Sequence, residues 1–544
     1  PPAPPAESDA TVVVAEAGAG AEDPVEAALA DATRSTVTAT LTGTMPDGVA
    51  RSASDTVWVD ELEGATLVSE LGEQDLRLQR VEVLRAAGRL SPTQAAQARE
   101  QILGAAASTT TVTEGGCGPS EICVSGNVRW TDRDGGLHAV EGAVVQVRDA
   151  ETGRDEVVDT TLTDPTGAFS VVIDDDDGDG TGRDVYVRVL ADGPAFTLDQ
   201  HLESAVTQDV APGSAVVKDV TAGNVTDNNT AFSVHAALTV GGAEVALQNG
   251  ALLGTVDVVF PSDGSYYDGR LNLLRLDRWD WDVILHEYGH FVSDELGIDR
   301  NPGGSHGDEN LSDRYGKDRG IRLAWGEGWP TYFAVSTLHE RAGVLGVPDA
   351  GDTRYQDTED ADIDSDLEAT HTRGEDNEIT VTAILWDLYD DVDDNRDQLA
   401  LGVGAVWDTL DAGDPESLSE AYRLFSPGGS VDPVNCIASQ MNVSPKISGA
   451  WTTVTEARPT FRWRAGNGGR HPNDRFQLKF RSEGGTLLLT TPTVRSTSFR
   501  PTQAQWDAVL GAAQGTVRVA VVGRQGDPPA TGPYRSCSRA YTID

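Results

Sequence analysis

The apolar residues of this chain follow two different periods, and the period changes at a few places along the sequence. From Ile122 to Leu190, apolar and polar residues alternate with a period of two, in the segments CVSGNVRW, AVVQVRDA, GAFSVVI and DVYVRVLA. Turn sequences such as DRDGG and DPTG separate these segments, and repeated strands without intervening helices predict a small β-sandwich. After Val443 the same period returns in PTFRWRA, RFQLKF, TLLLTT and TVRVAVVG, which predicts a second sandwich.

A helical period appears between the two predicted sandwiches. Residues 281–297, WDVILHEYGHFVSDELG, have apolar residues spaced for a buried helix face. Asp280 or Asp282 can cap the start of this helix, and Gly297 suits a left-handed stop. The sequence therefore predicts one well-delimited helix at the centre of the chain.

Together these patterns predict a multidomain α+β fold. The expected segments are a flexible, acidic and Pro/Ala-rich stretch (1–64), a helical hairpin with a linker (65–113), the first sandwich (117–197), a mixed domain of helices and strands (198–435) and the second sandwich (436–544). The mixed domain is expected to open with a polar connection (198–228), to continue with the strands VDVVFP and LNLLRL, and to contain a later helix from Asn377 to Tyr389.

The chain is strongly acidic. It has 87 acidic and 41 basic residues among 544, a formal net charge of −46. This charge argues against nucleic acid or an anionic membrane surface as a partner, because like charges repel. No uninterrupted run of 18 apolar residues occurs, so membrane insertion is not expected.

The cysteines point to an oxidising compartment. There are 4 of them, Cys117, Cys123, Cys436 and Cys537, and they permit three pairings. Joining Cys117 to Cys123 and Cys436 to Cys537 keeps each pair within one predicted domain. The chain begins with Pro1, with no basic segment or apolar core after it, which predicts a signal peptide already removed. The expected location is therefore extracellular.

The central helix contains the HExxH pattern, in His286-Glu287-Tyr288-Gly289-His290. Histidines four positions apart lie on one helix face and can bind one metal ion, with Glu287 beside them to polarise a metal-bound water. A catalytic zinc needs a third protein ligand, which distinguishes a metal site from a helix that merely exposes two histidines. Glu327 is the candidate, since its neighbours in AWGEGWPTYFA are too aromatic and glycine-rich for a solvated surface. Pro330 is expected in a first helical turn, which would place Glu327 at a helix N-terminus.

These residues resemble a known group of enzymes. HEYGHFVSD resembles the zinc helix of thermolysin-type proteases, including Asp294 one turn after the second histidine, and GEGW resembles the fungalysin signature around its glutamate ligand. Both families are gluzincins, so the resemblance, over residues 225–400, implies a zincin-type catalytic domain and a zinc-dependent endopeptidase. GAVVQVRDAETGR followed by TDPTGAFSV resembles the transthyretin-like regulatory domain of secreted carboxypeptidases. The C-terminal strands resemble fibronectin or immunoglobulin-like domains.

Two features depart from the gluzincin pattern. The gap of 36 residues between the second histidine and the glutamate exceeds the usual one. Pro330 and Thr331 also stand where these families tend to place an aspartate that orients a ligand. Asp282 and Asp294, each one turn from a zinc histidine, are the replacement candidates for that orienting role.

The resemblance further implies a His or Tyr across the cleft that stabilises the oxyanion. His371 and Tyr332 are the candidates for this role. His306, in the polar insertion DRNPGGSHGDENLSDRYGKDRG, is a rival third metal ligand. The metzincin pattern that would use it requires a Gly and a His at positions occupied by Ser293 and Leu296, which favours Glu327.

Two acidic turns, DDDDGDG (174–180) and DDVDDNRD (390–397), resemble parts of calcium loops. In the first, Tyr186 stands at the twelfth position, where an EF-hand has a bidentate Glu, so a true EF-hand is excluded. Calcium is a candidate second cofactor, and a solvated turn is the alternative.

The sequence thus predicts a secreted zinc metalloendopeptidase that acts on protein or peptide substrates. Zinc is expected on His286, His290 and Glu327, with Glu287 as the general base. The alternative is a catalytically degenerate zincin that serves as a secreted binding or adhesion protein through its sandwiches. The intact metal and base residues count against that alternative. The sequence carries no signal for the oligomeric state.

Overall fold

The computed structural model describes residues 11–13, 36–44, 50–58, 117–151, 154–175, 182–342, 344, 346–357, 363–392, 399–449, 453–454, 458–513, 515–526 and 530–543. Contacts divide the chain into two compact units, one of residues 1–121 with 213–215 and 249–251, and one of the remaining residues. The helical hairpin and linker predicted at 65–113 lie outside the described residues, as do most of the two acidic turns proposed for calcium.

The elements are numbered here in chain order. The strands are β1 (Thr11–Val13), β2 (Thr36–Thr44), β3 (Ala50–Trp58), β4 (Glu121–Thr131), β5 (Leu137–Ala139), β6 (Val144–Glu151), β7 (Arg154–Leu162), β8 (Ala168–Asp174), β9 (Arg183–Leu190), β10 (Phe196–Leu198), β11 (His201–Glu203), β12 (Thr207–Val210), β13 (Ala215–Val217), β14 (Val220–Ala222), β15 (Val256–Ser262), β16 (Tyr266–Tyr267), β17 (Leu271–Leu274), β18 (Arg354–Asp357), β19 (Ile363–Asp366), β20 (Lys446–Ile447), β21 (Thr453–Val454), β22 (Phe461–Arg464), β23 (Arg475–Ser482), β24 (Leu487–Thr490), β25 (Ser498–Phe499), β26 (Thr516–Gln525), β27 (Thr531–Arg535) and β28 (Arg539–Ile543). The α-helices are α1 (Asp227–Asn249), α2 (Trp281–Leu296), α3 (Leu311–Tyr315), α4 (Lys317–His339), α5 (Glu378–Tyr389), α6 (Gly402–Asp411), α7 (Leu418–Phe425), α8 (Asp432–Gln440) and α9 (Gln503–Ala512).

The first unit contains a three-stranded antiparallel sheet in the order β1-β2-β3. Strands β2 and β3 pair along their whole length, from Thr36 opposite Trp58 to Thr44 opposite Ala50. The sequence predicts a flexible segment over 1–64, but the weak alternation of residues 36–70 (TVTATLTG, TVWVDEL) also indicates a hairpin, and β2 and β3 pair as a hairpin requires. Thr at every second position of TVTATLTGT, with Val and Leu among the residues between, favours an extended backbone, and this preference outweighs the polar composition.

The first sandwich begins the second unit and extends further than predicted. Strands β11 and β12 pair with β9, and β14 pairs in parallel with β4. Residues 201–222 are therefore largely part of the sandwich, whereas the sequence predicted a polar connection from 198 to 228. These strands are only three or four residues long, too short to show an alternating pattern by themselves.

The mixed domain that follows has a four-stranded sheet in the order β10-β15-β17-β16. Both predicted strands before the central helix are present, as β15 and β17, and the predicted later helix is α5. One continuous core joins the first sandwich to these helices; it runs from Ile122 through Trp325 to Val443. The second unit is thus mixed α/β with several sheets, consistent with a multidomain α+β protein.

Helix α2 has the ends that its sequence predicts. The Asp280 carboxylate accepts a hydrogen bond from the Val283 amide at 3.4 Å, so Asp280 and not Asp282 is the N-cap. At the other end Gly297 has φ = 71°, a left-handed conformation that costs little for glycine. Local chemistry therefore determines both ends of this helix.

The C-terminal sandwich has its own core, built around Phe461, Phe480 and Trp506. It is also joined to the helical part of the unit. The disulfide Cys436–Cys537 links α8 to the segment between β27 and β28, and Tyr534 of β27 belongs to the larger core. Cys117 and Cys123 are disulfide-bonded as well, so the described residues include no free cysteine.

Helix α1 is, among the described residues, long and apolar enough to cross a membrane. In the structure, 67% of its most apolar window is buried inside the protein. Thr, Ser and Gly residues interrupt its sequence, so no uninterrupted apolar run marks this helix. A buried core helix has the same length and composition, so the finding is weak evidence for a membrane span.

Candidate metal centre and active site

Helices α2 and α4 approach each other closely enough for their side chains to share one site. A Cβ atom built on Gly289 of α2 would lie 2.9 Å from the Cα of Pro330 in α4. No ordinary side chain fits at that distance, so glycine permits the contact. The close packing of the two helices therefore explains why a glycine stands at position 289 of the HEYGH sequence.

This packing brings His286, His290 and Glu327 together. The Nε2 atoms of His286 and His290 lie 3.3 Å and 3.2 Å from the Glu327 Oε2 atom. The ligand atoms of all three residues lie within 4.8 Å of one another. Two imidazoles and one carboxylate with this spacing have the donor set of a zinc site.

The position of Glu327 in its helix differs from the sequence prediction. It lies in the middle of the 23-residue helix α4, and Pro330 is inside that helix and not in its first turn. A proline in a helix interior removes one backbone hydrogen bond. Residues 323–338 are all buried, and we attribute the continuity of the helix to this packing.

The glycines on either side of Glu327 also permit close contacts. A Cβ on Gly326 would lie 2.8 Å from Asn301 Cβ, and a Cβ on Gly328 would lie 2.7 Å from Val381 Cβ in α5. The GEG sequence thus lets one loop and one helix pack directly against α4. The buried Glu327 carboxylate is enclosed as a result, with a residue exposure of 4%.

Two polar side chains contact the candidate metal-binding groups. Thr331 Oγ1 lies 3.0 Å from Nδ1 of His286 and donates to the Glu327 carbonyl oxygen at 3.0 Å. Asn301 Nδ2 donates to Glu327 Oε1 at 2.8 Å, so the other carboxylate oxygen faces the histidines. Thr331 follows Glu327 by four positions and shares its helix face, a signal present in the sequence. Asn301 has no comparable signal.

Asp282 and Asp294, the residues predicted for the orienting role, make hydrogen bonds to other segments. The Asp282 carboxylate accepts from the Gln356 amide at 3.1 Å. Asp294 accepts from the Tyr267 hydroxyl at 3.0 Å. Both residues were chosen because each lies one helical turn from a histidine of α2. Their side chains instead bond to Gln356 and Tyr267, which are distant in sequence and meet α2 only in the folded chain.

Glu287 is buried beside the three metal-binding residues. Its Oε2 atom has no hydrogen-bond partner. Burial raises the pKa of this carboxyl to about 7. A carboxylate that is desolvated and unpaired has an increased affinity for protons, as a general base near neutral pH requires.

His306 lies at the same site. From the sequence it was only a rival third metal ligand, and His371 and Tyr332 were the candidates to face the metal across the cleft. The His306 Nε2 lies 3.4 Å from Glu327 Oε2, and its Nδ1 lies 3.0 Å from Glu378 Oε2. His371 and Tyr332 are not among the described residues that line the cleft. His371 Nε2 instead lies 2.9 Å from the carbonyl oxygen of Asp366. No periodic pattern marks His306, since it belongs to the polar insertion.

Burial and mutual attraction shift the pKa values of this cluster in opposite directions. Burial by itself would lower the pKa of His290, but the attraction of Glu327 outweighs this and raises the pKa to about 9. The same balance, with Glu378 as a second partner, raises the pKa of His306 to about 9. Burial would raise the pKa of Glu327, but the two histidines hold it well below its usual range. The pKa of His286 is lowered by burial to about 4.

An open cleft of about 680 Å³ leads to these groups. Its lining includes Tyr266, Tyr267, Glu287, His290, His306 and Glu327. Strand β16 lies at the end of its sheet and forms one wall, so the backbone of an edge strand borders the cleft. An extended peptide can pair with such an edge through main-chain hydrogen bonds.

One domain of this chain is similar to a known protein family. Residues 256–414 match the family model described as the Mycolysin C-terminal domain, which occurs in M4 zinc metalloproteases. The match covers less than half of the chain and contains the candidate metal-binding residues, Glu287 and His306.

Two further similarities are more limited. Over 145 residues the chain is 29% identical to an uncharacterized protein of Archaeoglobus fulgidus; the match covers 25% of this chain and 37% of that protein. A 9R-lipoxygenase from Cyanothece PCC8801 aligns over 86% of this chain and 49% of its own, at 10% identity. The TM-score of that alignment is 0.16, too low to indicate a common fold.

Proposed function

We propose that this chain is a zinc-dependent metallopeptidase whose metal is held by His286, His290 and Glu327. The observation that carries the proposal is the convergence of both Nε2 atoms on one oxygen of Glu327, at 3.2 and 3.3 Å. This cluster lies beside an unpaired buried glutamate and faces an open cleft. The match to the Mycolysin C-terminal domain supports the same class of enzyme.

The donor set fits zinc for three reasons. Two neutral imidazoles and one carboxylate are ligands that zinc accepts, and three protein ligands leave one position for water. Thr331 occupies the Nδ1 side of His286, which leaves Nε2 free to face the metal. Asn301 holds one oxygen of Glu327 and so directs the other to the histidines.

A bound zinc ion would supply a water of lowered pKa and would polarise the substrate carbonyl. Glu287 then accepts the proton of the attacking water on its unpaired Oε2. The same carboxyl afterwards donates this proton to the nitrogen of the leaving amine. The raised pKa of Glu287, about 7, suits a group that must first take and then return a proton.

His306 is the proposed donor to the oxyanion. Its Nδ1 is held by Glu378 at 3.0 Å, while its Nε2 faces the metal-binding carboxylate at 3.4 Å. The nearby carboxylates favour its protonated form, which donates from both nitrogens. A fixed donor of this kind stabilises negative charge that develops on the carbonyl oxygen.

The proposed substrates are extended peptides or unfolded proteins. The edge strand β16 borders the cleft and can pair with a substrate backbone whatever its side chains. The disulfides favour an extracellular location for this activity. A catalytically inactive zincin that acts as a binding protein is the alternative.

The test compares wild-type protein with Glu287→Gln and with Glu295→Gln, the same change at an exposed position of α2. Zinc content is measured by metal analysis, and turnover by cleavage of casein. We expect one zinc per chain in all three, and loss of turnover by about 10² or more in Glu287→Gln alone. Equal cleavage by Glu287→Gln and wild type would refute the role of Glu287. Wild-type protein that holds zinc but cleaves neither casein nor a broad peptide library would favour the binding protein.

A further inference from the structure

The insertion loop, defined here as residues 299–316, brings Asn301 and His306 to the metal-binding residues. Asn301 bonds to Glu327 Oε1, and His306 lies between Glu327 and Glu378. The loop is polar and contains several glycines with left-handed backbone, such as Gly303 with φ = 63°. Such a loop has little core of its own, so contacts elsewhere must determine where His306 lies.

Those contacts come from a bridging segment, residues 373–378, which leads into α5. The Leu311 amide donates to the Asp376 carbonyl oxygen at 2.8 Å. Asn310 Nδ2 donates to the Arg373 carbonyl oxygen at 2.8 Å and to Asp376 Oδ1 at 2.7 Å. The insertion loop is therefore bonded to the bridging segment through both backbone and side chains.

The bridging segment is in turn held by the C-terminal sandwich. Glu375 is 1% exposed, and its carboxylate accepts hydrogen bonds from Asn467 Nδ2 and from the Tyr534 hydroxyl. The Glu375 amide donates to Asn467 Oδ1 at 3.0 Å. The backbones also touch, since a Cβ on Gly374 would lie 2.6 Å from the Gly468 nitrogen.

Burial of the Glu375 carboxyl group makes this junction depend on a correctly docked sandwich. A buried carboxylate is stable only while its donors are present, because water cannot replace them. Both side-chain donors to Glu375 named above come from the sandwich, at Asn467 after β22 and Tyr534 in β27. Loss of these donors favours a conformation in which Glu375 leaves the interface and the bridging segment moves with it.

We propose that the C-terminal sandwich positions the insertion loop over the metal-binding residues, and that Glu375 is the positioning residue that connects the two. The sandwich is thus a part of the active centre and not an independent appended module. The proposal rests on the proposed function where turnover is concerned; the placement of the loop can be tested without it.

The experiment uses the full chain with Tyr534→Phe, Asn467→Ala and the double variant. Tyr534→Phe removes one hydroxyl and keeps the ring that packs on Tyr422. The matched control is Thr491→Val, which removes a buried hydroxyl of the sandwich that bonds to the Leu478 amide. The control weakens the same domain without touching the bridging segment. Glu375→Gln serves as the conservative variant, since it keeps the shape and one acceptor.

Amide hydrogen exchange of peptides covering 299–316 is the first measurement. We expect exchange in this loop to rise by about tenfold in the double variant, with a smaller rise in Glu375→Gln and none in Thr491→Val. The second measurement is peptide cleavage, where kcat is expected to fall by about tenfold with little change in KM, because His306 acts on the transition state.

Unchanged loop exchange in the double variant would overturn the proposal. An equal rise in Thr491→Val would do the same, because it would show a general loss of stability. If the wild type cleaves nothing but the loop exchange changes as expected, the positioning role stands and the peptidase function fails. If the wild type cleaves and the loop exchange is unaffected, the function stands and the positioning role fails.

Discussion

Thr331 Oγ1 lies 3.0 Å from Nδ1 of His286, at the position where an aspartate was expected to orient the metal ligand. The hydroxyl accepts the Nδ1 proton and donates its own proton to the carbonyl of Glu327 one turn earlier. This arrangement places the proton on Nδ1 and leaves Nε2 as the metal-binding atom. The Thr331 hydroxyl thus orients the His286 imidazole without the negative charge that an aspartate would add.

The first prediction concerns this contact. Thr331→Val keeps the shape of the side chain and removes the hydroxyl, so His286 loses its acceptor. We expect zinc affinity to fall by about 10- to 100-fold, measured by competition with a chelator. Thr337→Val is the control, because Thr337 is a buried threonine in the same helix whose hydroxyl has no partner. Equal affinities of Thr331→Val and Thr337→Val would contradict the orienting role.

The second prediction concerns the contact between α2 and α4. In Gly289→Ala the new Cβ meets Pro330 at 2.9 Å, so the helices must separate by several tenths of an ångström. We expect a loss of about 1–3 kcal/mol in the free energy of unfolding, with weaker zinc binding. Gly511→Ala is the matched control, since its Cβ would point into open space in helix α9. That change is expected to be neutral or to stabilise by up to about 1 kcal/mol. Denaturant unfolding of both variants measures the difference.

The third prediction separates His306 from His371. His306→Ala removes the proposed oxyanion donor, and kcat is expected to fall by about 10²–10³ while zinc stays bound. His371→Ala should leave kcat unchanged, because that imidazole bonds to the Asp366 carbonyl and is not among the described cleft residues. Loss of zinc in His306→Ala would show instead that this histidine is a metal ligand.

The fourth prediction is a pH dependence of zinc binding. The pKa values of His290 and His306 are raised to about 9 in the metal-free protein, so both carry a proton at neutral pH. Zinc must displace the proton of His290, and its charge also opposes that of His306. Binding at pH 7 to 8 should therefore release about one proton, that of His290, while His306 keeps the Nε2 proton that its oxyanion role requires. Zinc affinity should increase as pH rises towards 9. Calorimetry in buffers with different ionisation enthalpies counts the protons, and no release at pH 7 would contradict the raised pKa values.

Local features of the sequence were enough to predict the central part of the mixed domain. Helix α2, its Asp280 cap, its Gly297 stop and the shared face of His286 and His290 all depend on residues within one or two turns. The strands β15 and β17 and the helix α5 follow from period and caps in the same way. Glu327 was recognisable from its neighbours alone. Its aromatic and glycine-rich surroundings in AWGEGWPTYFA indicate burial, and a carboxylate is seldom buried unless it is paired.

The tertiary structure alone decided which groups complete the site. Thr331, Asn301 and His306 contact the candidate metal-binding residues across 21 to 45 positions of sequence, and no period or cap records a contact of that range. The same reason explains why His371, chosen from the family resemblance, and Asp282 and Asp294, chosen by their spacing of one helical turn, make contacts elsewhere. Glycines at 289, 326 and 328 show the cause, since the site exists only where three helices and a loop approach more closely than a Cβ would allow. Sequence determined the chemistry of the ligands, and packing decided what surrounds them.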